Sequence, residues 1–447
     1  MKMNVLTREL LEYYYLKSFH NLKTGLDKVT PTKFSSIREN EYDLILRKIN
    51  KDKYRFTRLR NLVLPNNRVV FIPTIRDRLV LDYLKDSLNT KYRIKYRDRD
   101  DIIKTIKSKL SIQMDYYVLR IDIKSFFSSI PKNNLLHKLK RGSILSATDY
   151  NLIKELLKQV DFGIPQGLSI SNPLSEIYLE EFDLEMRRIN QKVNFYCRYV
   201  DDILLIFNGN LSYKERSIIK QRIETLLRSF GLELNKDKFI ETPLKDQGGI
   251  RFEYLGYEFH LLKKHLDTTI SRSKVNRFIG KINSCFDEYL KEKKVNQTDN
   301  VNLLIERLNF LIKTQFIIKK ERHIEIPTLR EYYKLNFINT GFLNSYKHAD
   351  TKNIEDLCEE VDLIIRKRIF TLRNIITSRQ SKKILYSISM YEAHKKNQTI
   401  PISRFTRTEY IRRIKFIKPT INDTALFSLS FNELEKYYFQ ILNLDRI

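Results

Sequence analysis

The sequence predicts an α+β fold: a small antiparallel sheet with helices packed against it, followed by a helical C-terminal part. Three observations support this. Residues 195–207 (Phe195-Tyr196-Cys197-Arg198-Tyr199-Val200-Asp201-Asp202-Ile203-Leu204-Leu205-Ile206-Phe207) have the aromatic and β-branched composition of a strand pair, with two acids in the middle. Residues 117–123 (Tyr117-Val118-Leu119-Arg120-Ile121-Asp122-Ile123) read as a central strand whose apolar run is broken by Asp122. From about residue 270 the apolar spacing turns helical and the composition basic.

The chain of 447 residues is long enough for two or three domains, and at 42% hydrophobic it can bury a large core. Lys and Arg number 82 against 54 Asp and Glu, a net charge of +28, with a pI near 9.7. A chain this basic usually faces a polyanion, and nucleic acid is the first expectation. The charge is spread along the chain, which favours a long groove over a basic arm. Cys197, Cys285 and Cys358 form no paired motif, which argues against a disulfide framework or zinc site and fits a cytoplasmic protein. No run is apolar enough to span a membrane, and the N-terminal residues lack the apolar stretch of a signal peptide.

The first 50 residues read as helices. Residues 54–72 alternate basic and apolar about a turn at Pro65-Asn66-Asn67, a β-hairpin by pattern. It presents Arg55, Arg58, Arg60 and Arg68, which suit either a solvated edge strand or a phosphate-facing hairpin. Thr74 is the expected N-cap of an amphipathic helix containing Leu79, Val80, Tyr83, Leu84 and Leu88. A helix from about Lys132 to Lys140 follows the central strand. Residues 161–173 concentrate Gly163, Pro165, Gly167 and Pro173 in a chain poor in both types, which marks a shaped loop. That loop opens a helix with Asn172 as expected N-cap. After the Asp-Asp hairpin, Tyr213 to Phe230 is an amphipathic helix stopped by Gly231. Residues 232–239 and 252–259 are strand-like. Helical spacing then recurs at 274–294, 300–318, 354–378, 381–396 and 430–443. Within this part, Arg404 to Lys418 interleaves basic residues with Phe405, Tyr410 and Phe416, either a solvated face or a nucleic-acid contact.

Asp201-Asp202 alone would suit an ordinary turn. With Asp122 on a neighbouring antiparallel strand, the three acids can converge. Carboxylates so arranged hold two divalent cations about 3.5–4 Å apart, one activating a hydroxyl and the other the leaving phosphate. Oxygen ligands select Mg²⁺ or Mn²⁺ over zinc.

Asp122-Ile123-Lys124-Ser125-Phe126-Phe127, Pro165-Gln166-Gly167 with Ser171, and Tyr199-Val200-Asp201-Asp202, in this order, resemble the first three palm motifs of reverse transcriptases. Gly231-Leu232-Glu233-Leu234-Asn235 with Lys238 is similar to the fourth, and Tyr254-Leu255-Gly256-Tyr257 to the fifth, the primer grip. Arg68 to Pro73 and Arg76-Asp77-Arg78-Leu79-Val80 look like the fingers motifs of bacterial, group II intron-like enzymes. The resemblance spans about residues 50–260.

It implies a right-hand polymerase: N-terminal helices and fingers over 1–115, palm over 116–265, helical thumb over 266–350 and a helical extension over 351–447. Asp122, Asp201 and Asp202 would be catalytic acids binding Mg²⁺, with the Ile123 carbonyl assisting. Phe127 would be the gate that clashes with a 2′-OH, though it also suits a plain core position. Gln166, Gly167 and Tyr199 would shape the nucleotide pocket, and Arg68 and Arg78 would meet the triphosphate. Lys238 would donate a proton to pyrophosphate, or else is a solvated lysine beside Asp237. The implied partners are an RNA template, a DNA product and dNTPs. No retroviral RNase H acids, Cys/His nuclease cluster or retron signatures are found in the sequence. The chain therefore looks most like the abortive-infection and defence-associated enzymes, some of which use a partner non-coding RNA, protein priming or untemplated synthesis. A retron-type enzyme and a non-catalytic RNA-binding scaffold are the alternatives. Oligomeric state, template and primer are left open.

Overall fold

The computed structural model describes residues 5–18, 22–64, 68–112, 114–242, 249–262, 265–296, 300–325 and 330–444. The chain divides into two compact units, Met1–Ile250 with Ile324–Arg330, and Arg251–His323 with Glu331–Ile447.

The first unit opens with the helices Arg8–Ser18 and Pro31–Asn50. Strands β1 (Arg60–Val63) and β2 (Val69–Ile72) then pair antiparallel, Arg60 opposite Ile72. The hairpin is shorter than its sequence pattern, and its expected turn, Pro65-Asn66-Asn67, lies outside the described residues. Residues 54–59 are not strand because buried Asp77 captures them. The Tyr54 hydroxyl donates to Asp77 at 2.7 Å and the Thr57 N–H at 3.0 Å. Asp77 lies in the helix Ile75–Lys91, which Thr74 caps as expected. Arg60 donates to the Thr24 carbonyl at 3.2 Å and Arg55 lies 3.3 Å from Glu155, so these two hairpin arginines serve protein partners.

Strands β3 (Tyr116–Asp122), β4 (Val193–Tyr199), β5 (Asp202–Asn208) and β6 (Ile240–Thr242) form one sheet in the order β4-β5-β3-β6, with antiparallel neighbours. Alternation along β3 and β5 puts Tyr117, Leu119, Ile121, Ile203, Leu205 and Phe207 on one face. That face shares a buried core with Leu174, Ile177 and Phe182 of the helix Ser171–Arg187, and with Ile219, Ile223 and Leu227 of the helix Tyr213–Ser229. Each such side chain contributes about 1.5–3 kcal/mol by leaving water. Two local expectations change. The helix after the glycine-rich loop begins at Ser171 with Ile170 at its cap, because the Ser171 hydroxyl turns back to the Pro165 carbonyl. Residues 232–239 form a single bridge, Leu234 to Ile123, and a 3₁₀ turn, Lys236–Lys238, instead of a strand.

The second unit contains the sheet β7 (Ile250–Tyr254), β8 (Tyr257–Leu262) and β9 (His265–Ile270), ordered β7-β8-β9. Beyond it the chain is mainly helical: Arg272–Asn296, Val301–Ile312, Thr351–Thr371, Ser378–Ser387, Arg407–Ile417 and Phe431–Leu442. The exception is β10 (Thr314–Glu325) with β11 (Arg330–Thr340), where helical spacing was expected through residue 318. Thr314 and Gln315 pair in parallel with β12 (Thr399–Ile400), and the β-branched and aromatic run Phe316-Ile317-Ile318 suits a strand.

In the basic stretch Arg404 to Lys418, Arg412, Arg413 and Lys415 pair with acids within the fold. Arg412 and Arg413 bond Glu409, Lys415 bonds Asp423, and Arg407 bonds the Leu429 carbonyl. Its aromatics Phe405 and Tyr410 are core residues. Among the described residues, no helix is long and apolar enough to cross a membrane.

Candidate active site

The Asp-Asp hairpin is closed by two residues, Val200 and Asp201, with Tyr199 opposite Asp202. Val200 has φ +63°. A positive φ at the first central residue is the type II′ pattern, normally met by glycine. A β-branched residue there is strained, and such strain persists only where the surroundings hold it. Here the surroundings are specific. The Ile123 N–H donates to the Asp201 carbonyl at 3.2 Å, and the Asn235 N–H to the Asp122 carbonyl at 2.9 Å. Three chain segments are thereby joined at one end of the sheet, where Asp122 stands opposite Asp202.

The three acids differ in their surroundings. Asp122 is buried, and Lys238 Nζ lies 3.1 Å from each of its carboxylate oxygens. Asn235 Nδ2 donates to one of them at 3.0 Å. Asp202 is gripped by Arg120 through a two-pronged pair, Nε at 2.9 Å and Nη2 at 2.7 Å. Burial pushes the Asp202 carboxyl above the usual carboxylate range, against the stabilising guanidinium of Arg120. The Asp201 carboxyl is also pushed up, by burial and then by the like charges of Asp122 and Asp202. Among the described residues, no three His, Cys, Asp or Glu side chains enclose a ready metal site. Lys238 and Arg120 bond the oxygens of two of the three acids.

The glycine-rich loop reaches both the segment that follows β3 and the hairpin β1–β2. The Ile164 N–H donates to the Phe127 carbonyl at 2.7 Å, and the Phe71 N–H to the Gln166 carbonyl at 2.8 Å. Arg68 Nε donates to Gln166 Oε1 at 2.6 Å. Gly163 (φ +63°) and Gly167 (φ +89°) allow these approaches. The structure thus brings Arg68, Phe127, Gln166 and Gly167 onto one connected loop system. Phe127 is buried, its ring centroid 5.1 Å from that of Phe126. Arg78 lies 3.8 Å from Asp82, one turn along its own helix. Tyr199 is 40% exposed, beside the acids on the hairpin.

Tyr254, Leu255, Gly256 and Tyr257 connect β7 to β8 in the second unit. Leu255 (φ +49°) and Gly256 (φ +81°) form a two-residue turn with both φ positive, the type I′ pattern. The flanking tyrosines are fully buried, and Tyr346 packs against the turn.

Sequence reading assigned no role to Arg120, Arg198, Asn235 or Gly163. The signal for Arg120 was present: it shares a strand face with Asp122, two residues away in an otherwise apolar run. Arg198 is likewise a lone cation in an apolar strand. The positive φ of Gly163 has no signature of its own beyond its residue type.

Residues 49–259 match the family model for reverse transcriptase (RNA-dependent DNA polymerase). Protein YkfC of Escherichia coli (strain K12) is 24% identical over 323 residues, covering 58% of this chain and 82% of that protein. Solved structures are similar at low identity. The apo telomerase of Candida tropicalis gives a TM-score of 0.39 and 12% identity over 92% of this chain. The telomerase of Candida albicans with a TWJ fragment of telomeric RNA gives 0.37 and 13% over 88%. A C. tropicalis telomerase truncated at its C-terminal domain gives 0.34 and 14% over 53% of this chain. This chain spans 60% of the truncated telomerase, 69% of the full C. tropicalis chain and 67% of the C. albicans chain. Over residues 49–259 the chain carries a reverse transcriptase domain, the domain of an RNA-directed DNA polymerase.

Proposed function

We propose that this protein copies RNA into DNA, adding dNTPs to a 3′-OH with Asp122 and Asp201 at the reaction centre, and that it serves bacterial antiphage defence. The observation that supports the chemistry best is the pairing of Asp122 with Asp202 across β3 and β5, with Asp201 in the adjoining turn.

The donor set fits a divalent cation. It consists of hard oxygens, and Asp201, raised first by burial and then by the like charges of Asp122 and Asp202, is an acid whose charged form a cation would stabilise. Asp122, Asp201 and the Ile123 carbonyl would hold Mg²⁺ or Mn²⁺. Once bound, such an ion lowers the pKa of an attacking hydroxyl and offsets charge on the leaving oxygens. Asp202 accepts one bond from Arg120 on each oxygen, so it fixes that cation beside the site and keeps a lone pair on each oxygen for a metal ion. Lys238, mostly exposed, holds Asp122 and swings out to protonate the departing pyrophosphate. Arg68, oriented by Gln166, faces the triphosphate. Phe127 gates the sugar, its main chain held by the loop bond to its carbonyl and its ring packed against Phe126.

The defence role, and a partner non-coding RNA or protein-primed or untemplated synthesis, follow from the sequence resemblance. The helical second unit suits the extension of that lineage. The test is to purify the protein from a bacterial host and sequence the nucleic acid bound to it. Phage plaquing is scored in parallel, with Asp201→Ala/Asp202→Ala as control. Bound cDNA and protection that both vanish in the control support the reading. Unchanged protection in the control refutes the catalytic role in defence.

A further inference from the structure

We propose that Arg198 is a positioning residue that fixes the Val200-Asp201 turn and ties it to the helix behind the nucleotide loop. The inference rests on the reading of Asp201 as a metal-binding acid and adds a residue to which that reading gives no role.

Arg198 lies in β4, its side chain 3% exposed. All five of its N–H groups have acceptors. Nε donates to Asp183 Oδ1 at 2.8 Å. Nη1 donates to Glu176 Oε1 and to the Val200 carbonyl, each at 3.0 Å. Nη2 donates to Glu176 Oε2 at 2.7 Å and to Asp183 Oδ2 at 2.8 Å. Asp183 also accepts the Tyr196 hydroxyl, and Arg97 donates to the Tyr196 carbonyl at 3.1 Å.

A buried guanidinium needs acid partners, and Glu176 and Asp183 supply two. The fifth bond is different in kind, because it goes to the backbone of the strained residue itself. Val200 at φ +63° relaxes unless its carbonyl is held, and Asp201 is the next residue. Both acids stand on the helix Ser171–Arg187, whose first residue follows the Gln166-Gly167 loop by four positions. The planar fork of Arg198 therefore connects three things: the helix, the turn and, through the helix start, the loop assigned to the nucleotide. A lysine keeps the charge but has one nitrogen and three donors, so it cannot span two carboxylates and the carbonyl together.

The test compares Arg198→Lys with Arg198→Met and with Asp201→Asn in RNA-templated primer extension, with circular dichroism and melting temperature on each. Arg198→Lys isolates the clamp, since it preserves the buried charge and the fold should Arg198→Met fail to fold. The expected result is a kcat lowered about 100-fold in Arg198→Lys, the scale set by a misplacement of about 1 Å. The half-saturating Mg²⁺ concentration rises and the dNTP KM stays near wild type, while the melting temperature falls less than in Arg198→Met because the buried charge is kept. A fall in melting temperature with kcat and Mg²⁺ dependence unchanged means a purely structural ion pair and overturns the proposal. Wild-type kinetics in Arg198→Lys, with Asp201→Asn inactive, overturns it while leaving the metal reading intact. Activity in Asp201→Asn removes the metal reading and the proposal with it.

Discussion

Gly163→Ala is a sharp test of how the glycine-rich loop is built onto the segment that follows β3. A Cβ at Gly163 would lie 2.2 Å from the Phe127 carbonyl oxygen and 2.4 and 2.5 Å from Ser128 backbone atoms. All three are main-chain atoms, so no side chain can swing aside. Relief requires moving backbone by about 1 Å to regain van der Waals separation, and the Ile164 N–H bond to Phe127 breaks. The left-handed conformation costs alanine about 1 kcal/mol. The broken bond, with a buried N–H left unpaired, costs about 1–3 kcal/mol. Together these give roughly 2–4 kcal/mol, or about 5–15 °C in melting temperature for a unit of this size. Gly209→Ala is the matched control: Gly209 has φ +74° and nothing within 4 Å of its Cβ position, so only the conformational cost of about 1 kcal/mol applies. Thermal unfolding followed by circular dichroism reads stability, and primer extension reads whether Phe127 has moved. Gly163→Ala should lose most of its dNTP incorporation, while Gly209→Ala keeps it. Equal melting temperatures and equal activity for the two variants would refute the reasoning.

Three other outcomes are expected. Asp201 has a folded-state pKa raised above its unfolded value, so its contribution is intact below the unfolded value, near 4, and is lost as pH rises through the folded value. In EDTA, Asp201→Asn should therefore melt above wild type by a margin that grows with pH, and Mg²⁺ should raise the wild-type melting temperature alone; a flat or reversed margin contradicts this. Arg120→Met leaves Asp202 partly buried without its two-pronged partner, and should destabilise by about 1–3 kcal/mol in urea unfolding, the range for an uncompensated charge discounted for partial exposure. Phe127→Ala should raise rNTP incorporation relative to dNTP in competitive primer extension; an unchanged ratio together with a fall of about 3–5 kcal/mol in stability would make Phe127 a core residue only.

Local chemistry made much of the first unit readable from sequence. Residues 117–123 and 195–207 are strands because their composition is β-branched and aromatic. Their acids stand out because a charge in such a run needs a reason. Gly231 ends its helix at φ +66°, as expected of a glycine there. What stayed hidden depends on distant partners. Nothing near residue 198 in the chain says that Glu176 and Asp183 will meet its guanidinium. Nothing near Tyr54 says that Asp77 will hold residues 54–59 out of the hairpin. The β10–β11 ribbon was masked because Val301–Ile312 has strong helical periodicity that continues toward Phe316 before the chain becomes strand. The Arg404 to Lys418 stretch read as either a solvated face or a nucleic-acid contact, and of the acids that pair with it, Glu409 lies inside the stretch and Asp423 outside it.

The measurement that tests the catalytic assignment most directly is extension of a labelled DNA primer on a defined RNA template, with dNTPs and Mg²⁺, by the purified protein and by Asp122→Asn and Asp201→Asn. Template-length DNA made by the wild type, lost in both variants and in EDTA, is the expected result. Equal DNA synthesis by the wild type and either variant would contradict the placement of the reaction at Asp122 and Asp201.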